Sequence, residues 1–210
     1  MDKEELNRRA KVITDDCMGV LPTYEAFYII SIKYSAERCL EAFDLYEKNK
    51  FSKNADLMIS LLQVAVGHAA ALARYFWPSP KGKRLSPVFQ MKKARAEKLR
   101  KAFLLSESSI LANKELRNAW EHFDEKLDEY LLQVDFGYFF PTSMIKDITI
   151  LKKEGGHFFK VLDVEKQLMG LMGDVYFFGK IKNEVELVYQ KANYMDQSGG
   201  RLKGDVTSED

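Results

Sequence analysis

The sequence predicts a mainly α-helical protein: an antiparallel four-helix-type bundle over residues 22–133, then a small C-terminal β-meander plus one helix. Three observations predict it. Between residues 24 and 132 apolar side chains recur mostly at spacings of three and four, the period of an amphipathic helix. Beyond residue 134 the pattern shifts to short alternating runs broken by glycine turns. Finally, 46% of the 210 residues are hydrophobic and 30% are charged, too apolar a mixture for disorder over most of the length.

The elements follow in order. Residues 1–21 are polar and form an N-terminal extension with a short helix. Leu21-Pro22-Thr23 marks a boundary, because proline suits the first turn of a helix and breaks its interior. Phe27, Ile30, Tyr34, Ala36, Leu40, Phe43 and Leu45 then define one long helix up to Lys48. Asn54 is placed to cap a second helix that runs to Phe76 and stops at Trp77-Pro78-Ser79-Pro80. This helix is apolar nearly all round and is expected at the centre of the bundle. A third helix is expected over Val88–Leu105. A fourth is expected from an Asn113 cap to Leu132. Asp147–Lys152 and His157–Leu162 read as strands around a Glu154-Gly155-Gly156 turn. The stretch 163–178 has partly helical spacing, but Gly170 and Gly173 each cost a helix about 1 kcal/mol, so strands are expected. A last helix should cover Lys180–Tyr194. The resulting division is 1–21, 22–133, 134–197 and a disordered tail over 198–210.

Charge and cysteine usage narrow the classes. Lys+Arg is 32 and Asp+Glu is 31, so any nucleic-acid argument must be local rather than global. Two cysteines, Cys17 and Cys39, make neither a disulfide framework nor a metal set and suit a reducing cytoplasm. The charged N-terminus lacks the apolar core of a signal peptide. Leu57–Ala73 carries no formal charge but is short for a span and contains Ser60, Gln63, Gly67 and His68, so a buried helix is expected and no membrane. Three scattered histidines give no zinc spacing, and no phosphate loop, dinucleotide fingerprint or serine elbow is present. Neither metal nor cofactor is expected.

Chemistry concentrates on the fourth helix. Leu116, Trp120, Phe123, Leu127, Tyr130 and Leu131 form its apolar stripe. Asn118 and His122 are one turn apart and away from that stripe. Arg117 lies about 140° from His122, with Glu121 one turn on as its ion-pair partner. Upstream, the stretch from Ser79 to Lys101 holds nine positive residues against Glu97 alone. Lys81, Lys83, Arg84, Lys92 and Lys93 are candidates for binding a phosphate backbone. The alternative for this stretch is a solvated face opposing the acidic fourth helix, or arginines paired with its carboxylates. His68 reads as a core or interface residue, and His157 as exposed. Phe139, Phe140, Tyr176, Phe177 and Phe178 suit either base stacking or packing of the C-terminal segment, with packing the expected use.

Arg117-Asn118-x-x-x-His122 near the start of the last bundle helix resembles the Arg-x4–6-His signature of HEPN domains, which places a polar residue directly after the arginine. Arg74-Tyr75-Phe76-Trp77-Pro78, the basic loop, Arg95 and Arg100, and Glu121-His122-Phe123-Asp124 extend the likeness over about residues 55–131. The resemblance implies a helical bundle that dimerises, with two motif copies facing one cleft. It also implies a metal-independent endoribonuclease. Arg117, Asn118 and His122 would then be the catalytic set, supported by Arg74, Arg95, Arg100 and Glu121. The chemistry is consistent: histidine serves as acid or base near neutral pH, and arginine holds phosphate oxygens as charge builds. One helix supplies one histidine, so acid and base together need a second subunit. The expected setting is a cytoplasmic homodimer acting on RNA as a toxin or defence effector, controlled by an antitoxin or nucleotidyltransferase partner. Two alternatives stand beside it: a catalytically silent dimer that binds RNA or nucleotides, and a protein-interaction module that works through the C-terminal segment.

Overall fold

The computed structural model describes residues 1–79, 84–133, 137–148 and 156–203. Helices α1 (Lys3–Cys17), α2 (Glu25–Lys48), α3 (Ala55–Phe76) and α4 (Pro87–Phe103) come first. Then follow α5 (Glu115–Glu121), α6 (Phe123–Gln133), strands β1 (Tyr138–Met144), β2 (Gly156–Asp163), β3 (Leu168–Leu171) and β4 (Asp174–Phe177), and α7 (Ile181–Gln197). The protein is therefore mainly helical with a small C-terminal sheet and a final helix. Caps explain several boundaries. Asp2 Oδ1 accepts from the Glu5 amide at 2.8 Å, Asn54 Oδ1 from Leu57 at 3.0 Å, and Ser86 Oγ from Phe89 at 3.3 Å. Each satisfies an amide that has no carbonyl partner in the first helical turn.

The chain divides into two compact units, which differ from the linear division expected. The first comprises residues 1–37, 71–112 and 185 onward; the second comprises 38–70 and 113–184. In the first unit α1 packs on α4, with Ala10 and Val20 buried. The N-terminal segment is thus part of a core rather than an extension. Gly19 makes the close approach possible. Its φ is +81°, and a Cβ there would lie 2.3 Å from the Arg95 nitrogen and 2.5 Å from the Met91 oxygen. Ile29, Ile32, Leu72, Phe76 and Leu99 of the same unit are fully buried, and the Phe76 and Phe103 rings meet edge to face at 5.2 Å. Burial of each such side chain contributes about 1.5–3 kcal/mol.

The tail expected to be disordered begins with residues held against this unit. Arg201 Nε lies 3.2 Å from Glu25 Oε2, the Leu202 amide donates to the same oxygen at 3.0 Å, and Arg201 Nη1 donates to the Pro22 carbonyl at 3.0 Å. Residues 204–210 lie outside the described residues.

In the second unit the strand order is β1-β2-β3-β4. The expected meander holds only for β2-β3-β4, which pair antiparallel. β1 pairs parallel with β2, Phe139 against His157 and Met144 against Leu162. A parallel neighbour requires a crossover connection rather than a tight turn. Strand β1 was not expected at all. The expected strand at 147–152 is absent at Asp147 and Ile148, and its remaining residues lie outside the described ones. The β3–β4 hairpin turns on Met172 and Gly173, both at positive φ. That is the combination of a two-residue turn whose twist suits antiparallel strands, and it explains why Gly173 belongs to a turn and not a helix.

Helix α3 departs from the expectation of burial all round. Met58, Leu62, Ala65 and Leu72 are buried, whereas Leu57, Ser60, Val64 and Gly67 are exposed. Among the described residues it is the one helix long and apolar enough to cross a bilayer by length and composition, with 44% of its most apolar window buried inside the protein. Cys39 is buried and donates Sγ–H to the Ala65 carbonyl at 3.3 Å.

Candidate active site

Three of the predicted site residues fall at a break in the chain's helical path. One continuous helix was expected over 113–132. Instead α5 ends at Glu121, His122 takes φ −115°, ψ +37°, and α6 restarts at Phe123. The His122 amide still bonds the Asn118 carbonyl at 3.0 Å, and the Lys126 amide bonds the His122 carbonyl at 3.0 Å. Asn118 and His122 therefore remain one turn apart as the spacing required. Asn113 also shifts role. Its Oδ1 accepts from the Glu115 amide at 2.8 Å, while Lys114 occupies the cap position without a side-chain bond.

Arg117 is held by its neighbours. Its Nε and Nη2 donate to Asn118 Oδ1 at 3.1 and 2.6 Å, and Nε lies 3.4 Å from Glu121 Oε2. Asn118 thus orients Arg117. His122 is exposed, its side chain at 56%, and its Nδ1 lies 3.2 Å from Glu125 Oε2. Glu125 is the residue the sequence reading missed. A carboxylate three residues after a histidine on a helical path was the available signal.

The apolar side of α5–α6 lies on the sheet and fixes this segment. Leu116 and Ala119 are buried, and Trp120 stacks on Phe123 at 6.2 Å. Lys160 of β2 sits 4.8 Å from the centre of the Phe123 ring. Lys126 bonds Asp174 Oδ2 at 3.3 Å and Tyr176 Oη at 3.2 Å on β4. Tyr130 Oη lies 3.1 Å from His157 Nδ1, whose ring stacks on Phe139 at 5.1 Å. His157 is accordingly half-buried and partnered, not exposed.

The other predicted residues sit in different surroundings. Lys81 and Lys83 lie outside the described residues. Arg84 and Lys93 are exposed and Lys92 is half-buried. Arg74 is exposed at the end of α3. Arg95 lies over the Tyr28 ring at 5.7 Å. Arg100 donates to the Phe76 carbonyl at 2.6 Å and lies 3.0 Å from Glu107, so it closes the end of α3. Lys98 is withdrawn from the basic stretch altogether, because its Nζ bonds Glu25 at 2.8 Å and the Cys17 and Val20 carbonyls at 3.3 and 3.2 Å. His68 is half-buried on α3. Among the aromatics expected to pack, Phe178 is buried, but Phe139, Phe140 and Phe177 are 44–45% exposed and Tyr138 is 79% exposed. β1 is a sheet edge, so its side chains have a neighbouring strand on one side only. Among the described residues no cluster of three metal-ligating side chains occurs.

No protein-family model, curated protein or solved structure matches the chain.

Proposed function

We propose that the protein is a metal-independent endoribonuclease of HEPN type, working as a homodimer in which two copies of the Arg117–His122 segment face one substrate. The observation that carries this reading is His122 itself: an exposed imidazole set at a helix break, its Nδ1 facing Glu125 and its neighbour Arg117 fixed by Asn118. A proton on Nδ1 facing a carboxylate leaves Nε2 as a base, the arrangement that orients catalytic imidazoles elsewhere. Nε2 takes the 2′-OH proton, the 2′ oxygen attacks phosphorus, and the departing 5′ oxygen takes a proton from the histidine of the second subunit. Arg117 retains donors beyond those given to Asn118 and offers them to the phosphate. Asp124, Glu125 and Asp128 beside His122 are exposed and repel a phosphate, so the cations that complete the site must include those of the second copy. In the cell such an activity requires restraint by an antitoxin or nucleotidyltransferase partner.

The test is incubation of the purified protein with RNA in EDTA. Products ending in 2′,3′-cyclic phosphate and 5′-hydroxyl are expected. His122→Ala should lower the rate at least about a hundredfold, and Arg117→Ala by a comparable factor. Intact RNA after removal of any bound partner, or undiminished cleavage in both variants, overturns the proposal. The exposed Tyr138, Phe139 and Phe140 favour a second reading, a catalytically silent module that binds RNA or another protein. Binding without cleavage would select it.

A further inference from the structure

Two adjoining cavities in the second unit lie apart from the Arg117–His122 segment in sequence and are used by nothing described so far. The larger, about 460 Å³, has apolar walls from Phe51, Met144, Ile145 and Val164, with Lys50, Lys146 and Glu165 at its margin. The smaller, about 260 Å³, is more polar and is lined by Tyr46, Glu47, Lys50, Lys182 and Asn183 among others. Lys50 and Val164 line both. Together the two fall within the size range of small-molecule sites, which combine apolar walls with a few convergent polar groups.

We infer that these joined cavities bind a small amphipathic anion, its apolar body against Phe51 and its carboxylate or phosphate head in the polar cavity beside Lys50, Tyr46 and the start of α7. Four observations converge on this chemistry. Phe51 is 88% exposed, with Lys50 Nζ 5.1 Å from its ring centre, so the larger cavity opens on a bare aromatic face. Tyr46 is 5% exposed, and its buried Oη has no hydrogen-bond partner among the described residues. Burial, with Glu47 and Asp163 nearby, pushes this phenol up to about 12, which keeps it a donor at neutral pH. The amides of Lys182 and Asn183 stand in the first turn of α7, where the helix provides no carbonyl for them. The lining carries three lysines, Lys50, Lys146 and Lys182, against two glutamates, Glu47 and Glu165. Lys182 is shared with Asp44 at 2.9 Å and Glu47 at 3.1 Å, so Lys50 is the principal cation offered to a ligand.

The experiment is a titration of the full chain with 8-anilinonaphthalene-1-sulfonate, an aromatic anion that fluoresces when removed from water, followed by competition. Saturable binding at one site is expected. Phe51→Ala and Lys50→Glu should each weaken it at least about tenfold, with unchanged circular dichroism because both side chains are exposed. Tyr46→Phe should weaken it severalfold. AMP or octanoate should displace the probe, and the stronger of the two assigns a nucleotide-like or an acyl body. Adenosine or inorganic phosphate alone should compete at least about tenfold less well than AMP. Non-saturating fluorescence, affinity unchanged in both surface variants, or equal competition by phosphate alone overturns the inference. RNA cleavage is not the readout, so the outcome is independent of the ribonuclease proposal.

Discussion

Glu25 with Lys98 in the first unit and Glu125 with His122 in the second are both carboxylate–nitrogen contacts near 3 Å, and they differ mainly in their access to water. The side chains of Lys98 and Glu25 are 15% and 6% exposed; those of His122 and Glu125 are 56% and 73% exposed. The buried pair is surrounded by further bonds: Lys98 reaches two carbonyls, and the second oxygen of Glu25 takes Arg201 and the Leu202 amide. That network ties the end of α1, the start of α2 and the C-terminal residues into one core. The exposed pair ties down little, and its worth to stability is about 0–1 kcal/mol. A polar contact that does so little for the fold leaves its groups available to a ligand.

Breaking the buried pair should have the largest effect. Lys98→Met leaves the Glu25 carboxylate in the core with one cation fewer, and loss of one partner of a buried pair costs about 3–5 kcal/mol. For a chain of this size about 2–4 °C of melting temperature is lost per kcal/mol, so a fall of about 10 °C is expected in a thermal scan. A melting temperature within a degree or two of wild type would erase the contrast between the two clusters.

His122→Ala tests the exposed side. The expected loss of at least about a hundredfold in RNA cleavage corresponds to about 2.7 kcal/mol of transition-state stabilisation. The melting temperature should stay within a few degrees of wild type. A large drop in stability would show that His122 is a structural residue like Lys98.

Gly19→Ala sharpens the account of the first unit by acting on backbone alone. The added methyl meets main-chain atoms of Met91 and Arg95 on α4 at a positive φ; the conformation alone costs about 1–3 kcal/mol, and the overlap with backbone adds to it. The melting temperature should fall by several degrees, with cleavage per folded molecule unchanged.

The smallest effect concerns the thiols and compares access directly. Burial pushes the Cys39 thiol up to about 12, so at pH 8 it stays in the unreactive thiol form. Cys17 is half-buried. Labelling with iodoacetamide at pH 8 should modify Cys17 alone in the native protein and both thiols in guanidinium. Reaction of native Cys39 at the rate of Cys17 would contradict the packing of α2 on α3 at Ala65.

Much of the helical order was legible because it depends on residues near one another in the chain. The apolar spacings set α2, α3 and α4, and Asn54 and the Trp77-Pro78 stop set the ends of α3. The Arg117–Glu121 contact followed from a spacing of four. The break at His122 was not legible, since the stripe from Leu116 to Tyr130 continues across it. What holds the two halves is remote: Lys160 under Phe123, and β4 and β2 gripping Lys126 and Tyr130. Within the basic stretch, too, exposure is set by remote partners. Nothing local distinguishes Lys98 from Lys93, yet one is buried against Glu25 and the other meets water.

By itself the sequence determined the helical class, the switch to a sheet after residue 134 and the exclusion of a helix around Gly170 and Gly173. These are short-range matters of period, dihedral preference and side-chain type. Tertiary structure alone decided that β1 returns parallel to β2 and that α1 and the C-terminal residues join one core through Glu25. It also decided that Phe51 and Tyr46 border adjoining cavities. The physical reason is that pairing partners, burial and cavities are set by residues tens to more than a hundred positions apart. Their meeting is governed by the net free energy of packing the whole chain and not by any local pattern.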